Sequence, residues 1–297
     1  MSEQFQKAAV VGATGLAGQA MQRELASRDL PCTTMGRTEC DVRVDVADRT
    51  SILQGLDAAR PDLVINCAAV VDVGKCEAEP AATWAINAES VATLAEWCAA
   101  NEAKLIHIST DHYFTSGADE PHDESAPVRL INRYALQKYA AEAFAMTVES
   151  ALVLRTSIVG IRDRGRPTLA EWAIAAIEGG EQLTLFEDAY GSSIDVGSFA
   201  RHALDMAVKG ASGLYNLASS EVYSKADFIR ELARQMDRPL NDPQSGSANM
   251  LQPPRPTALG LDSSRAARLL GVELPTLSQV VEAILEQRHD NALRQQF

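Results

Sequence analysis

The chain has 297 residues, 46% of them hydrophobic, and a formal net charge of −13. That suffices for one large α/β domain, or for a large domain with a smaller lobe. No apolar run approaches the ~20 residues of a bilayer span, and an acidic surface without a basic tract repels nucleic acid, so neither membrane nor nucleic acid is an expected partner.

The first residues lack the basic-then-apolar pattern of a signal peptide. Five cysteines (Cys32, Cys40, Cys67, Cys76, Cys98) are odd in number and show no C-x-x-C spacing. Reduced thiols in a cytoplasmic protein are expected, with no metal site. Against such an acidic background, a phosphorylated ligand must be captured locally, by helix N-termini, glycine loops or single arginines.

In chain order, the apolar run from Lys7 leads into Gly12-Ala-Thr-Gly15-Leu-Ala-Gly18 and then into helical composition from Gln19 to Ser27. Strand, glycine turn and helix in that order point to a dinucleotide site, with a plain βα turn as the bland alternative. Glycines permit the tight turn and close backbone approach, and the pyrophosphate sits at the helix N-terminus. Gly12, Thr14, Gly15 and Leu16 are the expected cofactor contacts there. A second strand, Cys32 to Gly36, ends in Arg37 where an NAD-binding acid would stand. Arginine at that place pairs with a 2′-phosphate, which favours NADPH over NADH; an exposed loop arginine is the competing reading. Val42 to Val46 is expected as a further strand, with Asp45 toward the adenine amino group and Val46 beneath the ring.

The fourth strand runs from Asp62 into Asn66-Cys67-Ala68-Ala69. Its small residues suit a nicotinamide ribose at the carboxyl edge of the sheet. Glu79-Pro80 opens a long helix through Trp84, Asn87, Leu94 and Trp97. The fifth strand begins at Leu105 and ends in Ser109-Thr110-Asp111. A polar loop, Thr115 to Pro127, precedes the helix that carries Tyr134 and Lys138, four residues apart and so on one helical face. A phenol beside an ammonium is a proton donor with a lowered pKa; an ordinary amphipathic face is the bland alternative. Ala151 to Arg155 is the sixth strand. This alternation predicts an α/β fold, a Rossmann-type doubly wound parallel sheet.

Beyond Arg155 the rhythm breaks. A charged loop (Arg162 to Pro167), a helix (Leu169 to Ile177) and a strand then turn (Leu183 to Gly191) are expected. A helix (Ile194 to Lys209) and a last sheet strand (Gly213 to Ala218) follow. After them come a serine-capped helix (Ser224 to Met236), an irregular loop (Leu240 to Pro256) and two helices (Ser263 to Leu270, Thr276 to Gln287). The expected division is a dinucleotide-binding domain over 1–157, with 194–218 returning to it. A smaller C-terminal substrate-binding lobe is expected from 158–193 and 219–297.

Several motifs stand together: the glycine turn, Asn66-Cys-Ala-Ala69, Lys75-Cys-Glu-Ala-Glu-Pro80, Ile108-Ser-Thr-Asp111, Tyr134 to Lys138, Arg155-Thr-Ser157, and Arg255-Pro with Leu261-Asp-Ser263. In these the chain resembles the extended short-chain dehydrogenases/reductases, within them the dTDP-4-dehydrorhamnose reductase branch. The resemblance implies that Thr110 holds the substrate carbonyl and Tyr134 donates the proton. It implies that Lys138 binds the nicotinamide ribose and lowers the tyrosine's pKa. The implied substrate is a nucleotide-linked 4-keto-6-deoxy sugar, reduced with NADPH or NADH.

The chain departs from the branch where the sugar pocket is lined. His112-Tyr113-Phe114 replaces Tyr-Val-Phe, Val70-Val71 replaces His-Thr, and Ile158 replaces tryptophan. Asp111, His112 and Ile158 are the expected pocket residues. Arg255, stiffened by flanking prolines, is expected to meet the substrate diphosphate. Asp111 followed by His112 argues against a 4,6-dehydratase, which needs Asp-Glu there. An epimerase and a non-catalytic, NADP-binding regulatory subunit remain as alternatives, and a homodimer is left open.

Overall fold

The chain folds because four short stretches can be buried on both faces. Ala8–Val11, Leu63–Asn66 and Leu152–Arg155 are buried at every position, and Lys104–Ile108 at all but its last. A strand apolar at successive positions has no solvent face, so it belongs in the middle of a parallel sheet covered on both sides. The computed structural model describes residues 5–115, 117–162 and 166–294.

In chain order its first half contains β1 (Ala8–Val11), α1 (Leu16–Ser27), β2 (Cys32–Gly36), β3 (Val42–Arg43), α2 (Arg49–Ala59) and β4 (Leu63–Asn66). Then follow α3 (Val73–Ala78), α4 (Pro80–Trp84), a π-helical turn (Ala85–Glu89), α5 (Ser90–Ala100), β5 (Lys104–Ile108), α6 (Arg133–Ala145) and β6 (Leu152–Arg155). The second half adds β7 (Ile158–Val159), α7 (Leu169–Gly179), β8 (Thr184–Phe186), β9 (Tyr190–Gly191), β10 (Ile194–Asp195), α8 (Val196–Val208) and β11 (Gly213–Asn216). It closes with β12 (Tyr223–Ser224), α9 (Lys225–Gln235), β13 (Gln244–Gly246), β14 (Ala258–Leu259), α10 (Ser264–Leu270) and α11 (Leu277–Arg294).

Seven strands form one parallel sheet in the order β11-β6-β5-β4-β1-β2-β3. The order reverses at β1, whose neighbours are β2 and β4. A ligand crevice forms at such a switch point, at the carboxyl ends of the strands. Alternate residues of β1 enter opposite cores. Ala8 and Val10 pack with Met21, Leu25, Phe199 and Leu204 from α1 and α8. Ala9 and Val11 pack with Ile52, Leu56, Leu94 and Trp97 from α2 and α5. Each fully buried Leu, Phe or Met contributes about 1.5–3 kcal/mol. A third core, around α7, α9 and α11, holds Ile174, Phe228, Leu232 and Val281.

Several expectations are corrected. The third strand stops at Arg43, so Asp45 and Val46 lie in the loop before α2. Asp45 turns its carboxylate to the Ala47 N–H, as a short acceptor does in a turn. The fifth strand ends at Ile108, and Ser109, Thr110 and Asp111 lie just past it. The helix from Pro80 is interrupted by the π turn at Ala85–Glu89. The loop expected over Leu240 to Pro256 contains β13, paired with β8. Ile194–Asp195 is a strand before α8, and the last helix runs to Arg294. Of the charged loop from Arg162 to Pro167, residues 163–165 lie outside the described residues. The serine cap is present as a full capping box, Ser224 with Asp227.

Candidate active site

The cofactor side begins at the glycine turn. Gly12 has φ +79°, and a Cβ there would stand 2.7 Å from the Ala68 nitrogen. A Cβ at Gly18 would stand 2.3 Å from the Gly12 oxygen. These two positions exclude any side chain, one by backbone conformation and contact, the other by contact. At Gly15 a Cβ would meet only the Gly12 oxygen, at 3.4 Å, so the turn is open on that side. Gly15 caps α1 without a side-chain bond, leaving first-turn N–H groups to face a ligand. This cradle fits a dinucleotide pyrophosphate. Thr14 is exposed beside it, with Leu16 half-buried. Arg37 stands exposed just past β2, and Cys67, Ala68 and Ala69 are half-buried past β4.

Asn66 ends β4, and its Oδ1 accepts the Ala68 N–H at 3.1 Å. The next loop is held by Asn87 from the π turn. Its Oδ1 accepts the Val70 N–H at 2.7 Å, and its Nδ2 donates to Val70 O at 3.0 Å and to Gln137 Oε1 at 2.8 Å. The helical irregularity thus coincides with the residue that clamps this loop, as π turns do at functional sites.

A buried polar wall comes from the end of β5 and from α6. Asn132 caps α6 by accepting the Ala135 N–H at 2.8 Å, which sets where the helix begins and so where Tyr134 stands. Thr110, Tyr134 and Lys138 are all buried. The Thr110 hydroxyl neighbours the Tyr134 phenol, and its Oγ1 also accepts the His112 N–H at 3.3 Å. The Tyr134 ring packs with Val70, Val73 and Cys76, and meets the His112 ring edge-on at 5.4 Å.

The expected lowering of the Tyr134 pKa is overturned. Burial pushes the phenol up to about 12, with the neighbouring Thr110 hydroxyl opposing and the Asp111 charge adding. Lys138 aims elsewhere: its Nζ donates to Ile108 O at 2.7 Å and lies 3.3 Å from His107 Nε2. Burial lowers Lys138 itself to about 8, with Glu142 and Cys67 opposing.

The rim beside this wall is built differently. Asp111 is buried and pushed up to about 6 by desolvation, which the Lys225 charge and the nearby Ser157 and Thr110 hydroxyls oppose. Burial lowers His112 to about 4, the charges of Arg255 and Lys225 adding, and its Nδ1 has no partner. Ile158 is half-buried in β7 and packs partly on the main core. Val71 is 69% exposed beside the site. Arg255 and Arg129 line one cleft of about 340 Å³, with Thr115, Ile131, Asn249 and Thr257. Asn132 Nδ2 donates to Pro254 O at 3.2 Å, tying that cleft to the cap of the Tyr134 helix.

Sequence reasoning missed Arg129, Lys225 and His107. Arg129 and Lys225 carry no local motif. His107 gives no local signal either, and only the β4–β5 register sets it opposite Asn66. Among the described residues, no group of three or more His, Cys, Asp or Glu is placed to hold a metal, and no helix is long and apolar enough to cross a membrane.

Residues 6–289 match the family described as RmlD substrate binding domain. The dTDP-4-dehydrorhamnose reductase of Mycolicibacterium smegmatis is 31% identical over 271 residues, covering 89% of this chain and 80% of that protein. A Haloferax volcanii protein named "Probable low-salt glycan biosynthesis reductase Agl14" is 30% identical over 290 residues, 93% of this chain and 96% of its own. In fold, the chain is similar to the dTDP-4-dehydrorhamnose reductase of Bacillus anthracis, solved in complex with NADP. The TM-score is 0.86 at 22% identity, over 96% of this chain and 100% of that one.

Proposed function

The chain belongs to the RmlD substrate binding domain family, within the extended short-chain dehydrogenases/reductases, and is a reductase of a sugar-nucleotide 4-keto group; we propose that it uses NADPH and that Tyr134 supplies the proton. The observation that carries this assignment is the pair of neighbouring buried hydroxyls, Thr110 and Tyr134, at the carboxyl edge of β5. Two converging O–H groups in a water-poor wall suit a carbonyl oxygen that gains charge as it is reduced.

When bound, NADPH supplies the hydride for the keto carbon. Tyr134 delivers the proton to the oxygen, and Thr110 holds that oxygen in line. A phenol held up to about 12 stays protonated at neutral pH. It is therefore present as a donor, and the nascent alkoxide is the stronger base that takes its proton. Lys138 holds the ribose hydroxyls of the nicotinamide nucleotide. Gly12, Thr14, Gly15 and Leu16 cradle the pyrophosphate, Asp45 and Val46 border the adenine, and Cys67 to Ala69 border the nicotinamide ribose. Arg37 pairs with the 2′-phosphate.

Asp111, His112 and Ile158 face the sugar, and Arg255 meets the diphosphate. To these we add Arg129, which shares the cleft with Arg255. The chain divides functionally into a cofactor unit, 1–157 with 194–218, and a substrate lobe, 158–193 with 219–297. The thiols are read as those of a cytoplasmic protein. The test is a panel of nucleotide-linked 4-keto-6-deoxyhexoses with NADPH, dTDP-4-dehydrorhamnose included. At least one should be reduced with loss of NADPH absorbance. No turnover with any, or tightly co-purified NAD and epimerisation instead, would overturn the proposal.

A further inference from the structure

His107 lies in β5, fully buried, in a chain of hydrogen bonds that runs from the loop after β4 to Lys138. Ala68 N–H donates to Asn66 Oδ1 at 3.1 Å, which fixes the orientation of the Asn66 amide. The amide nitrogen, Nδ2, then faces His107 Nδ1 at 3.2 Å. An amide nitrogen only donates, so Nδ1 must accept, and the neutral ring carries its proton on Nε2. That N–H points at Lys138 Nζ, 3.3 Å away. Lys138 can complete this bond only with a lone pair, as an amine, while a hydrogen of Nζ goes to Ile108 O at 2.7 Å. An ammonium at the same place would set donor against donor.

The remaining groups around Lys138 do not reverse this. Glu142, one turn further along α6, is taken up by Arg155 at 2.8 Å and by the Ser109 hydroxyl at 2.6 Å. The Cys67 thiol, from the loop after β4, is pushed up to about 12, chiefly by burial. Tyr134 is one turn back on the same helix, and its phenol is protonated at neutral pH. Among the described residues, the hydrogen bonds of Nζ go to Ile108 and His107. Protonating His107 instead would put a second charge beside Lys138, and burial together with that charge holds the ring well below the usual histidine range.

We propose that His107 is a positioning residue of the reductase site: held as the Nε2–H tautomer by Asn66, it donates to Lys138 Nζ, aims it, and selects its uncharged form. This rests on the reading of Lys138 as the lysine of that site. The consequence is that Lys138 changes protonation close to neutral pH, where an unassisted lysine stays charged.

The test uses the cofactor-free chain, so its outcome is independent of whether any ketosugar is turned over. Imidazole ¹⁵N spectra of the unaltered protein should show His107 as the Nε2–H tautomer. Lysine side-chain ¹³C shifts, with Lys138 assigned by Lys138→Met, should give a midpoint well below that of a surface lysine. His107→Asn keeps a group near Asn66 but none that reaches Nζ, and should raise the midpoint by about one pH unit. Asn66→Asp has the same shape but only accepts, and should turn the ring to Nδ1–H. An Nδ1–H tautomer in the unaltered protein overturns the proposal. So does an unmoved Lys138 midpoint in a folded His107→Asn variant.

Discussion

The wall of the site, made by β4, β5 and α6, and its rim, made by the loops around 111–132 and 247–257, meet at Tyr134 but treat their polar groups in opposite ways. In the wall, Asn66, Asn87, His107, Gln137 and Lys138 are all buried and bonded to one another or to nearby backbone. In the rim, His112 Nδ1 is buried without a partner, and Arg129 and Arg255 stand exposed along a cleft. The wall fixes the reacting geometry before any ligand arrives, as proton transfer requires. The rim keeps donors in reserve for a ligand, on loops that tolerate change. This also accounts for the departure from the branch at His112, on the rim, while Thr110, Tyr134 and Lys138 in the wall keep the branch residues.

The hardest way to break the wall is through its proton. Tyr134→Phe removes one hydroxyl and leaves the packing against Val70, Val73 and Cys76 in place. The rate should fall by ~10²–10⁴, with fold and NADPH binding retained. Substrate affinity should change little, because the interaction is made mainly in the transition state. Thr110→Val should cost less, since it removes a hydrogen bond and not the proton. Near-normal turnover of Tyr134→Phe in a stopped assay would return His112 to consideration as the acid.

The wall should also break as structure. Arg155 and Glu142 are paired at 2.8 Å with side chains 4% and 2% exposed, beneath Ser109 and Tyr113. Glu142→Ala strands a buried guanidinium and should cost about 3–5 kcal/mol in denaturant unfolding. A loss under about 1 kcal/mol would mean that Arg155 finds water or another partner when the pair is broken.

How much of this was legible in the sequence follows the same division. The sheet was readable because strands buried on both faces appear as unbroken apolar runs. The cradle was readable because Gly12 and Gly18 have no tolerated alternative. Tyr134 and Lys138 were readable because four residues is a helical repeat. His107 was not singled out, because a histidine inside an apolar strand gives no local signal. It is identified only by the parallel register that sets it opposite Asn66. Arg129 joins Arg255 only through tertiary structure, since their segments are brought together by the Asn132–Pro254 bond. The C-terminal strands escaped because two or three residues cannot display a period. The pKa of Tyr134 was misjudged because helical spacing says that two side chains share a face, and not where each of them points.

Arg37 tests the cofactor side, at a smaller scale. Arg37→Ala should weaken NADPH binding by about 1–3 kcal/mol and leave NADH nearly unchanged. Fluorescence titration of both cofactors checks it. Equal affinities in the unaltered protein would remove the 2′-phosphate role.

The smallest expected effect lies on the rim, and it is the sharpest test of the contrast. Arg255 is exposed, so a diphosphate contact there is screened by salt and weakened by water. Its cleft also holds Arg129, and two guanidinium groups can divide one diphosphate between them. Arg255→Ala should therefore weaken substrate binding by about 1 kcal/mol at low ionic strength, with kcat unchanged. The difference should shrink as salt is added, which a wall substitution would not show. Arg129→Ala should behave alike, and the double variant should lose more than the sum of the two, because either arginine alone compensates in part for the other. If Arg255→Ala instead lowers kcat with KM unchanged at every salt concentration, Arg255 acts on the reacting centre through His112, and the boundary between wall and rim has to be redrawn to put His112 inside the wall.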